Sequence, residues 1–257
     1  MGQIHCEITG RGKKNLILVH GFCANHKIWS PFKASICQEW RVITPDLPGF
    51  GRSQMVGPPF TIQNVAAQLN DWVQSRGFDK PVLIGHSLGG YICLDMIARQ
   101  PDNYGGIGLF HSTAMPDTDE KKTGRNKVLE FVKAHGVQRF VDSFIPGLYY
   151  NRKHPSLAKA HRIASKTSQK AFFYYTIAMR DRPSAVEVLA QAKVPILILA
   201  GQYDPVISLE SLQKQAELSK KITFKILTDT GHMGMFEARE EACEAINNFI
   251  KKAVERQ

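Results

Sequence analysis

Short runs that are apolar at nearly every position alternate along this chain with stretches whose apolar residues recur at helical spacing. The runs fall at residues 16–20, 41–44, 82–85, 107–111, 196–200 and 224–227, each bounded by Gly, Pro or polar clusters. At that length they read as buried strands. A strand apolar on both sides must be covered on both faces, which is the condition of a parallel sheet. Residues 3–8 differ, because Ile4, Cys6 and Ile8 alternate with polar neighbours as an edge strand with one wet face does. Between the runs, Ile62, Val65, Ala66, Leu69, Trp72 and Val73 keep the helical period, with Thr61 placed to cap the start and Gly77 to end it. Ala242, Ile246, Phe249, Ile250 and Ala253 form a similar stripe near the C-terminus. The expected fold class is therefore α/β, a mostly parallel sheet flanked by helices and joined by right-handed crossovers.

The alternation breaks once. From residue 114 to 192 no strand candidate occurs, and four helical patterns follow one another at about 127–134, 137–144, 156–165 and 169–180. This stretch is rich in Phe and Tyr. Residues 1–113 and 184–257 are expected to form the sheet core, with 114–183 inserted as a helical cap, or lid, over the carboxyl edge. In open α/β sheets that edge is where ligands bind.

The bulk properties narrow the function. A chain of 257 residues, 43% hydrophobic and 22% charged, can bury a sizeable core without disulfides. Its cysteines, Cys6, Cys23, Cys37, Cys93 and Cys243, are odd in number and widely spaced, with no CxxC pair. They suggest neither a disulfide framework nor a zinc site. The net charge is +10, but Lys and Arg are spread out and the densest groups are only pairs, such as Lys121-Lys122. That pattern predicts a solvated basic surface rather than a nucleic-acid or membrane site. The first residues lack a basic region followed by an apolar run, and no run is long enough to span a bilayer. A cytoplasmic protein acting on a small molecule, with no cofactor and no metal, is the expectation.

The chemistry centres on Gly85-His86-Ser87-Leu88-Gly89. As a bare pattern, G-x-S-x-G arises by chance in roughly one chain in ten of this length. Here it sits between a buried strand and a helical stretch, where the glycines allow a turn tight enough to lift the Ser hydroxyl clear of the sheet. A serine hydroxyl needs a base. Among nine histidines, His20 and His86 lie inside glycine motifs and are expected to shape loops. His232 follows the last strand, at the same carboxyl edge as Ser87. His111, at the end of the run 107–111, competes with it. The base needs an orienting carboxylate. Asp204 follows the run 196–200, whereas Asp229 lies only three residues before His232 and would struggle to reach the far ring nitrogen. The chain order Ser, Asp, His results. The developing oxyanion needs backbone donors, and the N–H groups of Leu88 and Phe22 are the candidates. Phe22, Phe144, Phe172, Val206 and Met233 are the candidate substrate contacts. Arg180 and Arg182, if turned inward, would instead clamp a carboxylate.

With these residues placed, the chain resembles the capped α/β-hydrolase superfamily, in its serine-nucleophile (Ser-Asp-His) esterase-like branch, over essentially its whole length. His20-Gly21-Phe22, Asp46-Leu47-Pro48-Gly49-Phe50-Gly51-Arg52-Ser53, Gly85-His86-Ser87-Leu88-Gly89-Gly90, Gly201-Gln202-Tyr203-Asp204 and Gly231-His232 follow its motifs in order. The resemblance implies an eight-stranded sheet, a helical cap and a structural role for the loop 46–53. Epoxide hydrolases and haloalkane dehalogenases resemble this fold but use Asp as nucleophile, and Ser87 stands against both. A carboxylesterase-like serine hydrolase is the expectation. Carbon–carbon bond hydrolysis, lactone opening and acyl transfer are alternatives on the same residues, and a slow-turnover ligand sensor is an alternative of another class.

Overall fold

In the computed structural model, which describes residues 3–36, 40–55 and 57–255 (backbone only for 254 and 255), the apolar runs become the strands of one sheet. Cys37 lies outside the described residues. The strands are β1 (Cys6–Thr9), β2 (Lys14–Val19), β3 (Trp40–Pro45), β4 (Val82–His86), β5 (Gly106–Phe110), β6 (Ile196–Gly201) and β7 (Ile222–Leu227). The helices are α1 (Ser30–Ile36), α2 (Ile62–Ser75), α3 (Leu88–Arg99), α4 (Asp119–Gly147), α5 (Leu157–Ala164), α6 (Gln169–Arg180), α7 (Val186–Ala190), α8 (Leu209–Ala216), α9 (Gly234–Glu237) and α10 (Arg239–Glu255). Strand order is β1-β3-β2-β4-β5-β6-β7, parallel throughout except for β1, which pairs antiparallel with β3.

The central strands explain the unbroken apolar runs. Ile17, Val19, Leu83, Ile196 and Ile198 point to the face covered by α2 and α3. Their neighbours Leu16, Leu18, Val82, Ile84, Leu197 and Leu199 point to the face covered by α1 and α10. The stripe on α10 is buried as its spacing predicts, and Ile246, Phe249 and Ile250 are each 4% exposed or less. Each such side chain contributes about 1.5–3 kcal/mol through burial. Thr61 caps α2 by accepting the Asn64 N–H, and Gly77 follows the helix at φ +62°.

Two expectations need adjustment. The described residues form seven strands, not eight, and the edge strand starts at Cys6 rather than at residue 3. The residues before it lie along the loop 46–53 instead, where the carbonyls of Gln3 and His5 accept the N–H groups of Gln54 and Asp46. At the other edge β7 alternates half-buried and exposed positions, with one wet face, although its sequence is apolar enough to suggest full burial.

Between β5 and β6 the chain is helical, as expected. The two patterns at 127–134 and 137–144 become one long element, α4, broken by Gly136 at φ +80°, ψ 163°. These helices pack over the carboxyl ends of the strands. Phe172 of α6 lies 5.0 Å, between ring centroids, from Phe22 of the loop after β2, and the Tyr175 hydroxyl donates to the Pro48 carbonyl.

Candidate active site

The turn from β4 into α3 places Ser87 at φ 50°, ψ −117°, a left-handed conformation that costs a non-glycine residue on the order of 1–3 kcal/mol. The surroundings hold it there. The Ser87 N–H donates to the Phe110 carbonyl, and the Ser87 carbonyl accepts the Gly90 N–H and the Ser112 hydroxyl. Glycine is required at two neighbours. A Cβ on Gly85 would lie 2.5 Å from the Gly89 carbonyl group and the Gly90 nitrogen, and one on Gly89 would collide with the Val19 carbonyl. Ser87 is partly exposed while the residues on either side are buried.

His232 follows β7 and is almost wholly buried. Its Nδ1 lies 2.8 Å from Asp204 Oδ2 and 3.0 Å from Oδ1. Asp204 follows β6, and its side chain is fully buried. Its Oδ1 accepts the N–H groups of Val206 (2.8 Å) and Ile207 (3.0 Å). Burial pushes the Asp204 pKa up, but the His232 charge and hydrogen bonds from His111 and His232 outweigh it, so the group stays ionised well below the usual carboxylate range. Asp229 is exposed, and no hydrogen bond joins it to His232 among the described residues. With Nδ1 committed to Asp204, the other ring nitrogen of His232 makes no hydrogen bond among the described residues. Ser87 and His232 line the same cavity, of about 30 Å³.

His20 and His86 shape loops, as expected. The His20 Nδ1–H donates to the Gly21 carbonyl (2.8 Å), and Nε2 accepts the Leu47 N–H (2.9 Å), which ties the Phe22 loop to the loop 46–53. Burial pulls the His20 pKa down to about 4, so it is neutral. His86 Nε2–H donates to the His232 carbonyl at 2.9 Å. The N–H groups of Phe22 and Leu88 are engaged by no hydrogen bond of the chain among the described residues, and Leu88 opens α3, where the helix dipole favours negative charge.

The loop 46–53 is built on Asp46. Its fully buried carboxylate accepts the His26 N–H (2.8 Å), the His26 ring (2.8 Å), the Arg52 N–H (2.9 Å) and the His5 ring (3.0 Å). His5, His26 and Asp46, like His111, Asp204 and His232, bring ligand-type atoms within 4.8 Å of one another. Asp46 is hydrogen-bonded to both of its histidines and Asp204 to His232, and a cation would have to displace those protons.

The substrate contacts divide. Phe22, Phe144 and Met233 line the cavity with Ala160 and Ile163 of α5. Phe172 and Val206 do not. Phe172 is fully buried behind Phe22 and against Phe140, and the backbone of Val206 serves Asp204. Helical periodicity marks an apolar face but not which neighbour covers it. The arginines turn away from the cavity. Arg182 donates to Asp117 and to two backbone carbonyls while stacking over Tyr91, and Arg180 forks onto Asp181. Cys23 lines the cavity but is buried, and burial pushes its thiol pKa up, leaving it protonated.

Sequence reasoning missed one anchor. The Glu237 carboxylate accepts the N–H groups of Tyr150 and Asn151 on one oxygen and of Gly231 on the other, and the His232 N–H donates to the Leu148 carbonyl at 2.7 Å. The helical insertion and the His232 loop are thereby joined. Nothing in the sequence marks Glu237 for this.

The profile of the alpha/beta hydrolase family matches residues 16–245. The 3-oxoadipate enol-lactonase 1 of Acinetobacter baylyi is 26% identical over 243 residues, covering 92% of this chain and 88% of that protein. Lipase 1 of Psychrobacter immobilis is 23% identical over 260 residues, covering 96% and 80%. Among solved structures, a thermophilic esterase from Thermogutta terrifontis superposes with a TM-score of 0.91 at 30% identity, covering 98% of this chain and 94% of that one.

Proposed function

Because the chain belongs to the alpha/beta hydrolase family, we propose that it is a serine hydrolase that cleaves a small, largely apolar ester or related carbonyl substrate through an acyl-enzyme. His232 takes the proton of Ser87, whose oxygen attacks the carbonyl carbon. The N–H groups of Phe22 and Leu88 hold the tetrahedral oxyanion. His232 then protonates the leaving group, and water releases the acyl group by the same steps in reverse roles. The observation that carries this reading is the pairing of His232 Nδ1 with a buried, ionised carboxylate while the ring shares a cavity with Ser87. A lactone is an internal ester, so the same steps would open one, as the name of the A. baylyi relative suggests for that protein.

The lining of the cavity supports an apolar substrate class. Its walls are Phe22, Phe144, Ile163, Met233 and other apolar groups, which gain from apolar contact at roughly 25 cal/mol per Å² and disfavour an unpartnered charge. About 30 Å³ holds a water or two, so the insertion at 114–183 acts as a lid that shifts outward when substrate enters. A panel of matched neutral and carboxylate-bearing esters and lactones tests the reading. Higher kcat/KM for the neutral acyl esters is expected. A tenfold preference for the anionic partner, lost in Arg180→Ala or Arg182→Ala, overturns the apolar assignment.

A further inference from the structure

One buried ionisable group beside the site has no part in the steps above. His111 follows β5 at φ 50° with its side chain fully buried. Two glycines make room for its ring. A Cβ on Gly201 would come within 2.9 Å of its Cε1, and one on Gly234 would collide with its Nε2. Its Nε2 accepts the Gly234 N–H at 3.1 Å, so a neutral ring carries its proton on Nδ1. That nitrogen lies 3.2 Å from Asp204 Oδ2, the oxygen that also faces His232. The approach is longer than the His232 contact and too poorly aligned for a hydrogen bond, so the His111 N–H faces the carboxylate as an electrostatic contact beside the hydrogen-bonded His232. With Nε2 accepting and Nδ1 protonated, a neutral His111 has no lone pair to offer Ser87, which removes it as a rival base.

We propose that His111 is a positioning residue for the Ser87–His232–Asp204 reaction, its Nδ1–H facing the Asp204 carboxylate and its Nε2 holding the His232 loop through Gly234, so that acid and base keep one spacing. The inference rests on the proposed triad. Its chemical consequence is specific. The Nδ1–H dipole beside Asp204 offsets part of the negative charge that faces His232, which eases proton return to the leaving group. The ionisable groups around the His111 ring are Asp204 from the loop after β6, His232 from the loop after β7 and His86 from β4, whose ring centroid is 6.0 Å away. Phe110, Gly201 and Gly234 add none. Burial depresses the His111 and His86 pKa values, which keeps both rings neutral while Asp204 stays charged.

Two replacements separate positioning from packing. His111→Phe keeps the ring volume and loses the Gly234 bond and the approach to Asp204. His111→Asn keeps a donor where Nδ1 stood and suits the left-handed backbone, since Asn adopts it readily. On a neutral acyl ester, His111→Phe is expected to lower kcat/KM about a hundredfold, the scale of a misplacement near 1 Å. It should also raise the midpoint of the acidic limb of the kcat/KM profile by about one pH unit, because Asp204 then serves His232 alone. His111→Asn should restore that midpoint and part of the rate. In an Asp204→Asn background, His111→Phe should cost little more, since the two act as a unit. An acidic limb that stays put in a folded His111→Phe enzyme, with His111→Asn no better, overturns the positioning role while leaving the triad intact. Full turnover in Ser87→Ala overturns the triad, and the inference with it.

Discussion

Replacing Asp204 by Asn keeps the shape of the side chain and inverts the chemistry of one of its ends. Oδ1 accepts the N–H groups of Val206 and Ile207, so the amide oxygen takes that side. The amide nitrogen then falls where Oδ2 stood, 2.8 Å from His232 Nδ1, which donates in the native protein, and 3.2 Å from the protonated His111 Nδ1. Three donors meet, and His232 relieves the conflict by moving its proton to Nε2 and accepting at Nδ1. Nε2 then has no lone pair for the Ser87 proton. In serine proteases the same replacement lowers kcat about 10⁴-fold, or about 5.4 kcal/mol at 1.36 kcal/mol per tenfold. The fold suffers much less, because both backbone bonds survive and about 1.5–3 kcal/mol of charge-assisted bonding is lost. For a chain of this size that lowers Tm by roughly 3–12 °C. The assay is hydrolysis of a p-nitrophenyl ester at 25 °C, with a thermal melt on the same preparation. A folded Asp204→Asn enzyme with kcat within tenfold of wild type would refute the reasoning, the more so if Asp229→Asn were the inactive variant.

Asp46→Ala removes a buried acceptor from two backbone N–H groups and two imidazoles, and an unfolding free energy lower by about 3–5 kcal/mol is expected in urea titrations. Burial raises the Asp46 pKa, but its hydrogen bonds from His26 and Arg52 and the nearby His20 carry it below the usual carboxylate range. The stabilisation is therefore complete above the unfolded value of about 3.9 and fades as pH falls through the lower folded value. The wild type and Asp46→Ala curves should converge on acidification, and a constant gap down to pH 2 contradicts the assignment. Ile163→Ala enlarges the cavity beside Ser87 and should move the acyl-length optimum upward, with a change of about tenfold in relative kcat/KM between short and medium acyl esters. An unchanged chain-length profile places the acyl group elsewhere.

The parts of the site that sequence makes legible are those that depend on where strands end. Ser87, Asp204 and His232 follow β4, β6 and β7, and a parallel sheet delivers the ends of all three to one edge. The glycines around Ser87 add a second signal, because the turn has no room for side chains at Gly85 or Gly89. His111 is half legible. Its position after β5 marks it as near the site, but its role depends on the direction of its two nitrogens, which the close approach of Gly201 and Gly234 decides. The cavity walls are the least legible. Phe172 and Phe144 both lie on helices of the insertion, and only the packing of α6 against Phe22 puts one behind the wall and the other on it. Ala160 and Ile163 carry no mark at all. The Glu237 clamp joins residues some 86 positions apart through backbone N–H groups, which leave no trace in side-chain identity.

The central claim is that the Ser87 hydroxyl becomes covalently acylated. Incubation with a fluorophosphonate, followed by proteolysis and mass spectrometry, reads this directly, because the reagent traps an activated serine in a tetrahedral adduct. The account predicts one adduct, on the peptide containing Ser87, formed at a rate that Asp204→Asn slows in parallel with ester hydrolysis and that Ser87→Ala abolishes along with turnover. An adduct that persists in Ser87→Ala, or ester hydrolysis undiminished in that variant, contradicts it.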